Sequence, residues 1–362
     1  MANPDGWRAR PLLPSRPGAL WAGLPLPLVL LAGSVLLVCC AAFAVTVGAV
    51  RIPLTEVIGS VGAHLSGRPG AGPLDYIVWE LRVPRVAQAL VVGAGLAAGG
   101  AVIQALVRNP LADPYVLGLS SGASVGAVIV LTTLGATAAG QLTLPFAAFL
   151  GSAATGIAVF ALARRHGRLL PGRLIMIGVA AGHLLAGITS YLLLRGNSAD
   201  ATRQVMFWLL GSLSGAQWPL LVISSVIVIP LLGVILLLAG RLNALSLGDD
   251  AAVSLGVSPT VARLIFFVLA SLVIGTVVSV CGPVGFVGLV VPNLARILVG
   301  ADHRRSLPVS LLLGAFLVLA ADTAARTLLS PIEIPIGIMT ALVGAPAFVI
   351  AVRRSATGQV SL

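Results

Sequence analysis

Long apolar runs separated by short polar segments dominate the pattern along the chain. Most runs are close to the roughly 20 residues that one helix needs to cross a hydrocarbon core about 30 Å thick. The eighth run is short and is interrupted by Pro292. We therefore predict about ten transmembrane helices, at residues 26–49, 84–106, 115–134, 143–163, 172–195, 217–240, 260–281, 284–299, 307–329 and 334–352.

Composition places the chain among membrane proteins. Hydrophobic residues make up 58% of the 362 residues and charged residues only 9%, and the mean hydropathy is +1.07. In soluble domains about 25% of residues are charged. The predicted fold class is an all-α polytopic membrane protein, with no room for a sizeable soluble domain.

The domain organisation follows from the runs. Residues 1–23 are rich in Pro, Gly and Arg, and we expect a disordered cytoplasmic tail there. The run after them is longer than the h-region of a signal peptide, about 7–15 residues, so it is expected to stay as an anchor. Residues 24–354 form the predicted ten-helix domain, and residues 355–362 a cytoplasmic C-terminal tail.

Arginine distribution predicts the orientation. With the N-terminus inside, the inner segments hold fifteen arginines and the outer ones seven, which favours both termini in the cytoplasm. The net charge of +11 does not indicate nucleic-acid binding, because the arginines lie at the ends of apolar runs rather than on one basic face.

The residues also limit the energy source. The chain has no lysine, so it cannot contain the phosphate-binding motif G-x-x-x-x-G-K-[ST]. If ATP drives it, a separate chain must bind ATP and Mg, and we expect no cofactor here. A proton-coupled secondary transporter is the alternative, but only Asp322 among the carboxylates lies within a run, and Arg326 four residues later predicts an ion pair.

Catalytic and metal-binding patterns are not found. His183 lies near the middle of a predicted span, where a packed, hydrogen-bonded histidine is expected more often than a metal ligand. No histidine pair has metal-site spacing, and the three cysteines have no C-x-x-C spacing. An intramembrane enzyme, a third possibility, would need a nucleophile–base pair that the sequence does not show.

Four segments together resemble one family, the FecCD-type permeases of bacterial ABC importers for iron–siderophores, haem and vitamin B12. The resemblance extends from about residue 50 to residue 354 in matching order. The segments are LRVPR (81–85), RNPLADPYVLGLSSGAS (108–124), GPVGFVGLVVPNLARILVGADHRRSLP (282–308) and ADTAARTLLSPIEIPIGIMTALVGAPAF (321–348).

This resemblance implies a type II ABC importer architecture in the bacterial cytoplasmic membrane. The chain would form a homodimer, bind two ATP-hydrolysing subunits and an extracytoplasmic substrate-binding lipoprotein, and have no catalytic residues of its own. The translocation path would lie at the dimer interface. An iron(III)–siderophore is the expected cargo, with haem or cobalamin as the alternative.

The segment ALSLGDDAAVSLGV, residues 244–257, faces the cytoplasm in the predicted orientation. Its two glycines bracket a short helix whose small residues permit a close fit. A lipid-binding helix should be basic, whereas this one carries two adjacent aspartates. In the resembled family this position holds the helix that docks into the ATPase, which assigns the contact to Gly248, Asp249, Ala251, Ala252, Leu255 and Gly256.

Two further sets of residues are carried over from the resemblance. Arg82, Arg85 and Arg326, expected to be exposed on the outer face, would pair with carboxylates of the binding protein, although arginines there can also be simple interfacial anchors. The family commonly has histidine where this chain has Asn293, which puts any titrating role there in doubt. The path or gate would involve Asn109, Pro110, Ser120, Ser121, Ser124 and Asn293, while helix capping is an equal alternative for the serines and asparagine.

Overall fold

The computed structural model describes residues 24–68, 70, 72–134, 140–165, 168–196 and 199–356. The predicted tail at 1–23 and residues 357–362 of the predicted C-terminal tail lie outside these ranges. The helices of the described residues are α1 Leu26–Thr46, α2 Leu54–Leu65, α3 Pro73–Tyr76, α4 Val83–Val107, α5 Leu119–Thr133, α6 Gly140–Ala163, α7 Pro171–Arg195, α8 Ala199–Leu209, α9 Trp218–Leu237, α10 Ala239–Leu247, α11 Asp249–Ser254, α12 Pro259–Cys281, α13 Val287–Val299, α14 His303–Ala325 and α15 Ile336–Ala356.

Four short elements complete the secondary structure of the described residues. A π-helix, Ile77–Arg82, joins α3 to α4, and a 3-10 helix, Pro114–Leu117, precedes α5. Between α6 and α7 the strands β1, Arg164–Arg165, and β2, Arg168–Leu169, pair antiparallel.

Each of the ten predicted runs contains one helix, which confirms the all-α membrane fold. Among the described residues, seven helices are long and apolar enough to cross a membrane, and α5, α13 and α15 have shorter apolar stretches. The total of ten spans and the cytoplasmic position of both termini stay predictions.

Helix α4 lies at the centre of the bundle, packed on α9, α12, α13 and α14. Close approach of backbones explains its glycines. A Cβ at Gly100 would overlap the carbonyl oxygen of Gly288 in α13, and one at Gly93 would overlap that of Gly314 in α14. Only glycine permits these contacts, through which helices associate in lipid by close packing.

Helices α5 and α13 are too short to cross the membrane alone, at 15 and 13 residues. Irregular backbone precedes each of them, and the two irregular segments meet. The hydroxyl of Tyr115 donates to the carbonyl of Val284 at 2.9 Å and accepts from its amide at 2.7 Å. Such backbone is tolerated within a membrane protein because protein surrounds it.

Helices α1 and α7 lie at the edge of the bundle, and in each only 11% of the most apolar window is buried. Helix α1 carries no charged, amide or histidine side chain and exposes mainly Leu, Val and Phe. Helix α7 exposes large apolar side chains such as Leu184 and Tyr191 as well, but it also exposes His183, Ser190 and several small residues. The two edges therefore differ in what they can face.

Candidate functional site

The segment 244–257 is built around the carboxylate of Asp249. Arg263 in α12 donates to both of its oxygens, at 2.5 and 3.0 Å, and the guanidinium of Arg108 reaches it from the end of α4. Arg108 also donates to the carbonyl of Leu245 at 3.1 Å. The hydrogen bonds from Arg263 lower the pKa of Asp249, and the Arg108 charge adds to the effect. Asp249 thus fastens α11 to the ends of α4 and α12.

Glycines set the ends of α11. Gly248 precedes the helix at φ +120° and Gly256 follows it at φ +74°, values that side-chain-bearing residues rarely adopt. The helix is thereby turned so that Val253 and Leu255 are exposed, at 63% and 62%, beside Leu247 at 70%. A surface with three exposed apolar side chains at the end of a polar segment suits contact with another protein.

The six predicted contact residues of this segment do not share one surface. Leu255 and Gly256 are exposed, Gly248 and Ala251 are partly exposed, and Asp249 is half exposed but held by its two arginines. Ala252 is fully buried, so its expected place on the contact surface is wrong. The sequence prediction omitted Leu247 and Val253. Both are apolar residues in a polar segment, Leu247 just before Gly248 and Val253 between the two glycines, and this could have indicated them.

At the predicted outer side, two arginines close the end of α1. Arg82 donates to the carbonyls of Val45, at 2.7 Å, and Val50, while Arg326 donates to that of Ala44. The last carbonyls of a helix have no partner within it, and positive charge is favourable there. The side chains of Arg82 and Arg326 are buried, at 6% and 7% exposed. The prediction that they are exposed on the outer face is therefore wrong.

Arg85 forms the centre of an ion-pair cluster. It donates to Asp322 through Nε and Nη2, at 3.0 and 2.9 Å, and to Glu333 through Nη1 at 2.9 Å. The predicted pair of Asp322 with Arg326 is also present, at a longer 3.7 Å. The Asp322 side chain is fully buried and that of Arg85 is 12% exposed, whereas Glu333 is 38% exposed. Arg85 is therefore the predicted docking arginine nearest to solvent.

Asn293 lies in a buried polar network. Its amide donates to the carbonyls of Pro110, at 2.9 Å, and Leu289, at 2.7 Å, and its oxygen accepts from Arg296. Arg296 also donates to Gln104 at 2.7 Å. The two predicted path residues Pro110 and Asn293 are thus brought together. Arg296 and Gln104, which the sequence prediction did not assign to the path, complete the network.

The remaining predicted path residues take different places. Asn109 accepts from the amide of Leu111 at 2.9 Å, which stabilises a turn. Ser120 and Ser124 are buried, with the Ser124 hydroxyl donating to the Ser120 carbonyl at 2.9 Å, and Ser121 is partly exposed. None of these serines caps α5, because Gly118 occupies that position at φ +73°.

His183 is not packed as predicted. It is exposed at the centre of α7, and within the described ranges it has no hydrogen-bond or ion-pair partner. The same part of the chain contains no group of three or more His, Cys, Asp or Glu that could hold a metal ion.

Comparison with known proteins places this geometry in a family. A family model described as the FecCD transport family matches residues 26–354. The chain is 43% identical to the hemin transport system permease protein HmuU of Yersinia pestis, over 75% of this chain and 81% of that one. It is 41% identical to the Fe(3+) dicitrate transport system permease protein FecD of Escherichia coli, over 76% and 84%.

A third relative and a solved structure extend the comparison. The cobalamin import system permease protein BtuC of Halobacterium salinarum is 40% identical over 78% of this chain and 77% of its own. A solved structure described as an inward-facing conformation of a metal-chelate type ABC transporter is 32% identical. It superposes with a TM-score of 0.79 over 91% of this chain and 99% of that one.

Proposed function

The chain belongs to the FecCD transport family, and on that premise we propose that this ABC transporter permease carries an iron(III)–siderophore complex across the cytoplasmic membrane of a bacterium. The relatedness to a ferric dicitrate permease and to a metal-chelate transporter supports an iron chelate as cargo. Haem or cobalamin is the second candidate, supported by similar identity to permeases named for those ligands.

ATP hydrolysis is assigned to a partner. The absence of lysine leaves this chain without a phosphate-binding loop of the common type, so ATP and Mg would be bound by two ABC ATPase subunits. The proposed docking surface is α11 with its flanking residues, where Leu247, Val253 and Leu255 are exposed. Asp249 would transmit movement of α11 to α4 and α12 through its two arginines.

The binding-protein surface is proposed at the outer ends of α4 and α14. Arg85 is partly exposed and shares its charge between buried Asp322 and exposed Glu333. A carboxylate of the binding protein could therefore replace Glu333 at Arg85 without removing Asp322. Arg82 and Arg326 support this surface by fixing the end of α1.

We place the inner gate at the Asn293 network of a homodimer. The hydrogen bond from Asn293 to the carbonyl of Pro110 joins α13 to the segment after α4. A path between these elements would open only if that hydrogen bond breaks. The neutral amide of Asn293 and carbonyl of Pro110 would let a hydrophilic chelate pass without tight binding.

Uptake in a deletion strain tests the proposal. A strain lacking this chain is given radiolabelled ferric siderophore, haem and cobalamin, with and without the intact chain, Arg85→Glu or the control Arg203→Glu. We expect loss of ferric siderophore uptake alone, restored by the intact chain and the control but not by Arg85→Glu. Restored uptake of haem or cobalamin instead would overturn the cargo, and uptake that persists without the ATPase would favour a proton-coupled carrier.

A further inference from the structure

His183 occupies a position that a histidine rarely takes in a membrane helix. It is the central residue of the 25-residue α7, about 18 Å from either end at 1.5 Å per residue. Its side chain is exposed, and no hydrogen bond or ion pair to another described residue satisfies it. In hydrocarbon an imidazole would have no partner for either nitrogen, which is costly.

Beside exposed large apolar residues such as Leu184 and Tyr191, one face of α7 has a regular composition. The stripe has alternating spacings of four and three residues, so its members lie on one face of the helix. Small or polar side chains occupy the middle of this face, and a Cβ added at Gly187 would contact nothing within 4 Å. We name this face the α7 stripe; its members, all exposed, are Met176, Ala180, His183, Gly187, Ser190 and Leu194.

The opposite side of α7 is already packed. A Cβ at Gly178 would overlap the carbonyl of Val116, and one at Gly118 would lie 3.3 Å from the amide nitrogen of Gly182. The helix therefore cannot rotate to bury His183 without breaking these contacts. Helix α1 is as little buried as α7, but it has no histidine, charged or amide side chain that would face lipid. The imidazole on α7 requires a neighbour other than lipid.

We infer that His183 lines the translocation path and, together with His183 of the partner subunit, donates hydrogen bonds to the cargo at mid-depth. This inference rests on the proposed homodimer and cargo. A two-fold interface would bring the two α7 stripes to face each other, with the small residues leaving space beside each imidazole. Carboxylate, hydroxamate or catecholate oxygens on the surface of an iron chelate are suitable acceptors, and the iron keeps its own ligands.

The imidazole of His183 suits the passage of an iron chelate better than its tight binding. An imidazole offers one donor and one acceptor when neutral and can turn to present either to a passing ligand. A permanently charged arginine at the same depth would hold an anionic chelate in a fixed, bidentate pair. His183 would then lower the barrier at mid-membrane without creating a tight site.

Water accessibility gives the first test. In a chain with Cys39, Cys40 and Cys281 changed to alanine, His183→Cys is compared with Leu36→Cys, which lies at the centre of lipid-facing α1 and is 56% exposed. The complete transporter in liposomes is treated with a charged methanethiosulfonate. We expect labelling at His183→Cys at least about tenfold faster than at Leu36→Cys, because thiolates form in water. Equal rates would overturn the inference.

Transport by the same complete transporter gives the second test. The probes are radiolabelled ferric dicitrate, ferrioxamine B and hemin. His183→Leu should lower uptake of the chelate that the intact chain carries by about tenfold, a change that corresponds to about 1.4 kcal/mol. His183→Asn, which keeps a donor, should retain most of the uptake, and binding-protein-stimulated ATP hydrolysis should persist in both.

The two tests separate the inference from the proposed function. Unchanged uptake by His183→Leu would contradict the role of the imidazole. If the intact chain carries none of the three probes, the proposed function fails, while the labelling rates still decide whether His183 faces water.

Discussion

Arg85 and Asp322 form a bidentate pair between α4 and α14, with the Asp322 side chain fully buried and 237 residues of sequence between the two. Arg326 reaches the same carboxylate at 3.7 Å, and Glu333 accepts from the far side of Arg85. One buried acid thereby serves buried Arg326 and partly exposed Arg85, and a chain with either partner removed keeps an uncompensated charge.

Removal of the Asp322 carboxylate should destabilise the fold. Asp322→Ala leaves Arg85 and Arg326 without their shared counter-ion, and breaking a buried pair of this kind costs about 3–5 kcal/mol. We expect a clear drop in the Tm of the purified protein in detergent. Glu333→Gln is the matched control, since that carboxylate is 38% exposed and its loss should cost less than about 1 kcal/mol. A Tm equal for the two variants would contradict this.

The stability of the last turn of α1 should depend on Arg82. All four of its last carbonyls have partners: the Thr46 hydroxyl for Phe43, Arg326 for Ala44, Arg82 for Val45 and the amide of Ile52 for Thr46. Arg82→Met should raise hydrogen–deuterium exchange in the last turn of α1 and leave exchange in α4 near that of the intact chain. Unaltered exchange in α1 would show that Arg82 is not what closes the helix.

A side chain at position 100 should prevent the close packing of α4 on α13. Gly100→Ala would place a methyl group onto the carbonyl of Gly288, and overpacking costs about 1–3 kcal/mol or more. We expect a sharply lower yield of folded chain on size-exclusion chromatography. Gly233→Ala, on α9 with open space around the added carbon, should elute as the intact chain does. Normal yield of the Gly100 variant would mean that α4 and α13 can separate.

Stability of the segment 244–257 should depend on pH through Asp249. Its pKa lies below the ordinary 3.8 because Arg263 and Arg108 favour the carboxylate. The stabilisation is therefore complete above the ordinary value and is lost as the pH falls through the lower, folded value. Limited proteolysis should cut 244–257 faster in Asp249→Asn than in the intact chain at pH 7. The difference should narrow as the pH falls below the ordinary value of 3.8, whereas Asp250→Asn should match the intact chain throughout.

Run length and composition were sufficient to predict the helices. A stretch of about 20 apolar residues without charge has few alternatives in a membrane, so each predicted run contains one helix. It was harder to predict which side chains of a helix are exposed. Ala252 and Leu255 were predicted on one contact surface, but the anchoring of Asp249 by two arginines buries Ala252 and leaves Leu255 exposed.

The polar partners could not be read from the sequence because they join distant segments. Arg82 finds its acceptors 37 and 32 residues earlier in the chain, and Arg85 finds its acid in α14. A local pattern indicated only that arginines stand at a membrane boundary. Asp322 and Arg326 were predictable as a pair because four residues separate them, yet the stronger bond goes to Arg85.

ATP-driven uptake into proteoliposomes tests most directly whether this chain is a permease worked by an ATPase docked at 244–257. Liposomes hold this chain with its ATPase and binding protein, and labelled ferric siderophore is counted inside after ATP is added. We predict accumulation that stops with a hydrolysis-deficient ATPase and with Leu255→Asp, while Asp250→Asn accumulates as the intact chain does. Accumulation that continues without ATP hydrolysis would contradict the assignment.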